Sequence, residues 1–270
     1  MPTVQRPDAK DGPLRAGALL PVRDLAVAWS LIVLIAALAW ALTVGQAEGT
    51  GVGPGTMGMA LPLFLPLWLA MMAAMMLPSV APVAVTWARG IARQSGGAVR
   101  ALRTTAFLCG YLIAWTAFGL LAYGGLALTG ALVDRDPGTG KWIGAAAFAL
   151  AGLYQWGPLK DVCLRHCRSP MAQLMRYAAY RPRLRDLRVG LHHGAYCVGC
   201  CWALMVVLIP LGVMNVAAMA AVAVLIFLEK LWSRGPRLAR LAGLAFLALA
   251  VLALFQDWPL PGLRSPMTPM

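Results

Sequence analysis

The stretch LAVAWSLIVLIAALAWALTV at 25–44 carries no charged residue. Six further apolar runs follow, at about 61–84, 104–128, 142–159, 195–213, 216–232 and 238–255. About 20 predominantly apolar residues suffice for a helix to cross a bilayer core. The repetition therefore predicts an all-α, polytopic membrane bundle of about seven transmembrane helices. Composition agrees, since only 12% of the residues are charged, against about 25% in a typical soluble domain. The first run has basic residues before it and small residues after it, as a signal peptide would. Its apolar length of about 19 residues exceeds the roughly 7–15 of a signal core, so it reads as a retained helix.

The formal charge is +13. In a soluble chain that would point to nucleic acid. Here the basic residues occupy short segments between the apolar runs. Alternate segments hold all of the 23 Lys and Arg residues except Arg135, Lys141 and Arg264. By the positive-inside rule the N-terminus is cytoplasmic and the C-terminus lies outside. The alternation also supports the count of seven. The resulting organisation is a cytoplasmic segment at 1–24, one transmembrane domain at 25–255 and a short outer tail at 256–270. A basic cytoplasmic loop at 160–194 interrupts the domain. The lipid bilayer is the expected partner, and nucleic acid is not. Ala145 and Ala149, in GAAAFALAG, form a small-xxx-small pair that lets two helices approach closely.

The chain has six cysteines and three histidines, and all but Cys109 fall within 163–201. One half of the cluster is CLRHC, with Cys163, His166 and Cys167. On a helix, Cys163 and Cys167 share a face with Cβ atoms about 5–6 Å apart. The other half is HHGAYCVGCC, with His192, His193, Cys197, Cys200 and Cys201. On a helix, His193, Cys197 and Cys200 fall within about 60° of one another, with Cys201 at the edge of that arc. Gly194 weakens a helix there, so His192 and His193 also fit an incoming loop.

Thiolates and imidazoles are the ligands of Zn(II) and Cu(I). Two thiolates from each segment would complete a four-coordinate zinc site, and two or three would hold Cu(I). The charge pattern puts both halves at the cytoplasmic end, where a reducing environment disfavours structural disulfides. The neighbouring arginines are expected to favour thiolates. Free cysteine is also an ordinary apolar core residue, which accounts for Cys109 alone better than for the cluster.

Met71, Met72, Met75 and Met76, in MMAAMM, lie near the middle of the second run and span an arc of about 140° on a helix. Trp68 precedes them, and Pro78 follows and frees a backbone carbonyl. Methionine is commonly a gap filler. Its thioether also suits Cu(I) and suits zinc poorly, so these residues, with Met205 one turn beyond Cys201, are candidate transit ligands that favour copper. Glu229 and Lys230 lie near the inner end of the sixth run. Ionisable residues at membrane depth are costly and often functional. Lys230 can snorkel to the inner face, while Glu229 is a candidate partner for a ligating histidine.

WLAMMAAMMLPS at 68–79, CGYLIAW at 109–115, LKDVCLRHCRSP at 159–170 and GLHHGAYCVGCCWALM at 190–205 together resemble a family of bacterial integral membrane proteins. Its members are described as predicted metal-binding and carry domain of unknown function 2182. The resemblance covers about residues 60–235 and implies a multi-pass protein of the bacterial inner membrane that binds metal. It assigns no reaction and no metal.

The combined expectation is a membrane protein that handles a soft metal, Cu(I) ahead of Zn(II), through Cys163, His166, Cys167, His192, His193, Cys197, Cys200 and Cys201. A metal donor or acceptor protein is the expected partner, and self-association into an oligomer stays open. A membrane thiol–disulfide oxidoreductase using the cysteine pairs, or a partner subunit with a structural metal, are the alternatives. A non-enzymatic role is favoured, and no P-loop is present to drive a pump.

Overall fold

A computed structural model describes residues 22–49, 55–56, 58–92, 97–169, 184–256 and 260–263. Among them the regular structure is helical, without a strand. The helices are α1 (Val22–Gly49), α2 (Leu61–Ala92), α3 (Gly97–Arg135), α4 (Thr139–Tyr154), α5 (Pro158–Cys167), α6 (Arg185–Val206), α7 (Leu208–Leu211), α8 (Val216–Leu231) and α9 (Gly235–Phe255). A short 3-10 turn, Pro261–Leu263, closes the described chain. Most of the 1–24 segment and most of the 256–270 tail lie outside the described residues, as do Met57 and loop residues 170–183.

Each of the seven apolar runs is helical, but their lengths differ. Five helices are long and apolar enough to cross a membrane: those containing Trp29–Glu48, Leu61–Arg89, Gly97–Arg135, Arg185–Val206 and Gly235–Phe255. The fourth and sixth runs form α4 and α8, of 16 residues each. At 1.5 Å per residue that is about 24 Å, short of a hydrocarbon core of about 30 Å. Conversely, α3 has 39 residues and extends well past the predicted run.

The largest departure from the sequence reading is at the basic loop. Residues predicted as loop from 160 to 194 are helical at both ends, because α5 runs to Cys167 and α6 begins at Arg185. His192 and His193 therefore stand on a helix, and Gly194 does not break it. Its role is contact. A Cβ on Gly194 would lie 2.7 Å from Ala114 Cβ and 2.9 Å from the Tyr111 carbonyl. A Cβ on Gly190 would collide with the Phe107 carbonyl, and one on Gly110 with that of Leu187. These three glycines let α3 and α6 cross backbone to backbone, the most extensive helix contact after which the others arrange.

Around that crossing, α2 packs on α3, α4 packs on α9, and α5 lies against α6. Gly152 of α4 is in close contact with Leu247 and Gly243 of α9. The Trp68 indole donates to the Trp115 carbonyl at 3.0 Å, clasping α2 to α3. At one end of the bundle, Asp186 of α6 accepts from Trp87 of α2 at 3.2 Å and from Arg103 of α3 at 3.0 Å.

Helix α1 sits at the periphery, where Leu31, Val33, Leu34, Leu38 and Leu42 are each more than half exposed. The methionines behave oppositely. Met71, Met72, Met75 and Met76 are all buried in the interior of the bundle.

Candidate metal centre

Helix α6 supplies the centre. Cys197, Cys200 and Cys201 are each about 1% exposed, and their sulfurs all lie within 4.8 Å of one another. Among the described residues, no other set of three His, Cys, Asp or Glu side chains converges in this way. The helical periodicity is the cause, because positions i, i+3 and i+4 share one face. The Cys200 and Cys201 sulfurs are 3.2 Å apart. Helix α5 adds Cys167, whose sulfur lies 3.7 Å from that of Cys200. All six cysteines are free thiols.

Cys163, one turn earlier on α5, is also buried, but it faces Gly199. A Cβ at position 199 would lie 2.8 Å from the Cys163 sulfur, so only glycine there lets α5 seat against α6. The expectation that arginines lower the thiol pKa does not hold at Cys163. Burial pushes its pKa above the ordinary thiol value. Cys167 is shifted upward too, first through its hydrogen bond with Cys197.

The histidines flank the thiols instead of joining the tight set. His166 stacks on Tyr196 with ring centroids 3.8 Å apart, and His192 lies 5.0 Å from the same ring. Both are half-buried. His193 is 2% exposed, and its Nδ1 has no hydrogen-bond partner. Its ring stacks between Phe107 and Tyr111 on one side and approaches His166 at 6.1 Å. Imidazole character thus grades from the half-exposed edge inward to the thiols, one helical turn from His193 to Cys197.

Helix α8 supplies the charges. The Glu229 carboxylate accepts from Lys160 at 2.6 Å and from Gln155 at 2.9 Å. The carboxylate offered by the sequence to a ligating histidine is therefore held by a lysine and an amide instead. The Arg168 guanidinium caps the end of α8 through the carbonyls of Glu229 and Ser233. Lys230 does not snorkel outward. It is 8% exposed, and its ammonium donates to the Cys197 sulfur at 3.0 Å and to the Ser79 hydroxyl at 3.2 Å. The Tyr111 hydroxyl lies 3.1 Å from the same sulfur. Neither Tyr111 nor Ser79 was marked by the sequence as a site residue. Lys160 was read only as one of the loop's positive charges, yet it is 1% exposed.

The methionines are buried in the same core cluster as the thiols. Met71 and Met205 line one cavity of about 330 Å³, with Trp68, Phe118 and Trp202 in its walls. Met75 lines a second cavity of about 220 Å³, beside Pro78, Trp40 and Phe227.

Residues 65–253 match the family PpoB2, described as a copper chaperone. The chain belongs to the PpoB2 family. The matched region spans α2 to α9 and contains every thiol of the centre. The metal-related family implied by the sequence motifs is thereby shown. No curated protein and no solved structure matches the chain.

Proposed function

We propose that this PpoB2-family protein is a multi-pass inner-membrane protein that binds Cu(I) as cargo and passes it to a partner protein. The convergence of Cys167 and Cys200 with Cys197 and Cys201, all buried, carries this reading. Soft thiolates in a site closed to water suit Cu(I), and thiols outside an oxidising compartment stay available as ligands. The charge alternation supports an inward-facing centre, with the N-terminus in the cytoplasm and the C-terminus outside.

In this reading Cys167, Cys197, Cys200 and Cys201 are the thiols from which copper takes its ligands. His193 stands beside them with an unpartnered ring nitrogen, and His166 and His192 receive copper at the half-buried edge. Cys163 seats α5. Met71 and Met205 offer thioethers to copper from the cavity they share. Zn(II) is the competing cargo.

The test is elemental analysis of the purified protein after anaerobic exposure to Cu(I). The expected result is one copper per chain, lost in C197S/C200S. Equal copper in wild type and the double variant would overturn the assignment.

A further inference from the structure

Lys230 is a buried cation with one thiol as its charged partner, and that arrangement sets a limit on what the centre can hold. Among the described residues the other buried charges cancel: Lys160 and Glu229 form an ion pair at 2.6 Å, with side chains 1% and 2% exposed. Arg168 is half-buried, and its guanidinium is spent on the backbone carbonyls of Glu229 and Ser233. Asp186 and Arg103 pair with each other near the end of α6, two turns or more from the thiols. Among the described residues, the unbalanced charge beside the sulfurs is the ammonium of Lys230. It is anchored from the far side by Ser79, whose own hydroxyl donates to the Met76 carbonyl at 2.9 Å.

We propose that Lys230 is the fixed counter-ion of the loaded centre, and that its single positive charge confines the centre to one Cu(I) on two thiolates. The inference rests on the copper reading above. A buried charge without a partner is strongly penalised. Cu(I) on two thiolates carries one negative charge, which Lys230 balances. A third thiolate adds a second negative charge that no buried cation among the described residues answers. Zn(II) on two thiolates is neutral and leaves Lys230 itself unanswered. Zinc reaches balance only by recruiting a third thiolate, and it then still needs a fourth ligand. Cys197 is one of the two ligands, because its sulfur is the one that Lys230 touches. The remaining thiols of the set close the site around the metal.

The experiment uses the full-length protein in detergent micelles without oxygen. Cu(I) is titrated against a chromophoric Cu(I) chelator, and the copper edge and extended fine structure of the loaded protein are recorded. Wild type is expected to show two sulfur ligands per copper. K230M is expected to hold Cu(I) roughly 100-fold less tightly, the order expected when one partner of a buried charge pair is removed. K230R, which keeps the charge, is expected to recover binding to within about tenfold of wild type and to retain two sulfurs. Three sulfurs around copper in wild type or in K230R would overturn the proposal, and that result can be read even where K230M does not fold. A folded K230M that binds Cu(I) as tightly as wild type would overturn it equally. A wild-type protein that holds no Cu(I) would instead remove the copper reading on which the proposal rests.

Discussion

The sulfurs of Cys167 and Cys200 lie 3.7 Å apart, although 33 residues separate them. One belongs to the short helix α5 and the other to the long helix α6, so the contact joins two elements that the basic loop holds apart in sequence. It makes the centre a tertiary object, not a property of the Cys-x-x-Cys stretch on α6 alone.

Replacing Cys167 should therefore matter as much as replacing a cysteine of α6. C167S and C200S are each expected to weaken Cu(I) retention by at least tenfold. C109S, at an exposed thiol on α3, is expected to change it less than twofold. Competition with a Cu(I) chelator measures all three.

The crossing of α3 and α6 predicts a packing effect without any chemistry. G190V pushes a side chain against the Phe107 carbonyl, and overpacking of this kind costs about 1–3 kcal/mol or more. Thermal unfolding in detergent should show a lower midpoint for G190V, and L191V on the adjoining, exposed position should leave it nearly unchanged.

Glu229 and Lys160 are both almost fully buried and face each other at 2.6 Å. Removing one leaves the other as an unpaired buried charge, a loss of about 3–5 kcal/mol. K160M should destabilise the fold by that order. The double variant K160M/E229Q should be more stable than K160M alone, a double-mutant comparison that denaturant titration can make.

Acidity should act on metal retention in a definite direction. Burial raises the Cys163 pKa, and the hydrogen bond with Cys197 heads the causes that raise Cys167. Both are therefore neutral thiols at pH 7. The folded state favours the protonated form, so the stability tied to these groups is complete below the ordinary thiol value and is lost as pH rises through the raised one. A metal that takes such a thiol must displace its proton, so copper retention falls as pH falls. Alkylation of Cys163, followed by mass spectrometry of its peptide, should stay slow near neutrality and accelerate only above the ordinary thiol range.

The shared cavity of Met71 and Met205 separates holding copper from moving it. M71L/M205L conserves apolar volume and should leave equilibrium retention within about threefold. If the thioethers carry copper, transfer to an external Cu(I) acceptor should slow by at least tenfold in stopped-flow measurements. An unchanged rate assigns these methionines to packing.

Much of this architecture was legible in the chain. Uninterrupted apolar runs marked the seven longer helices, though not α5 or α7, and helical spacing placed Cys197, Cys200 and Cys201 on one face, where the structure has them. Two kinds of feature were not. Gly194 reads as a helix breaker by intrinsic preference, and its true role depends on a partner helix more than 80 residues away in α3. Lys230 beside a predicted interface reads as a side chain that escapes to water, because the pull of Cys197 and Ser79 exists only once α2, α6 and α8 are assembled. Lys160 is hidden in the same way by its distant partner Glu229. Local pattern reports periodicity, while long-range partners decide where a charge ends up.

Ser79 sits directly after Pro78 on the proline-interrupted helix that carries MMAAMM. Its hydroxyl holds the Met76 carbonyl with one hand and receives the Lys230 ammonium with the other. A shift of α2 along its axis, or a change of bend at Pro78, therefore pulls on the ammonium that touches Cys197. The methionine segment of α2 and the thiol that Lys230 touches are thereby geared to each other through a hydroxyl group, so strain introduced at one is felt at the other.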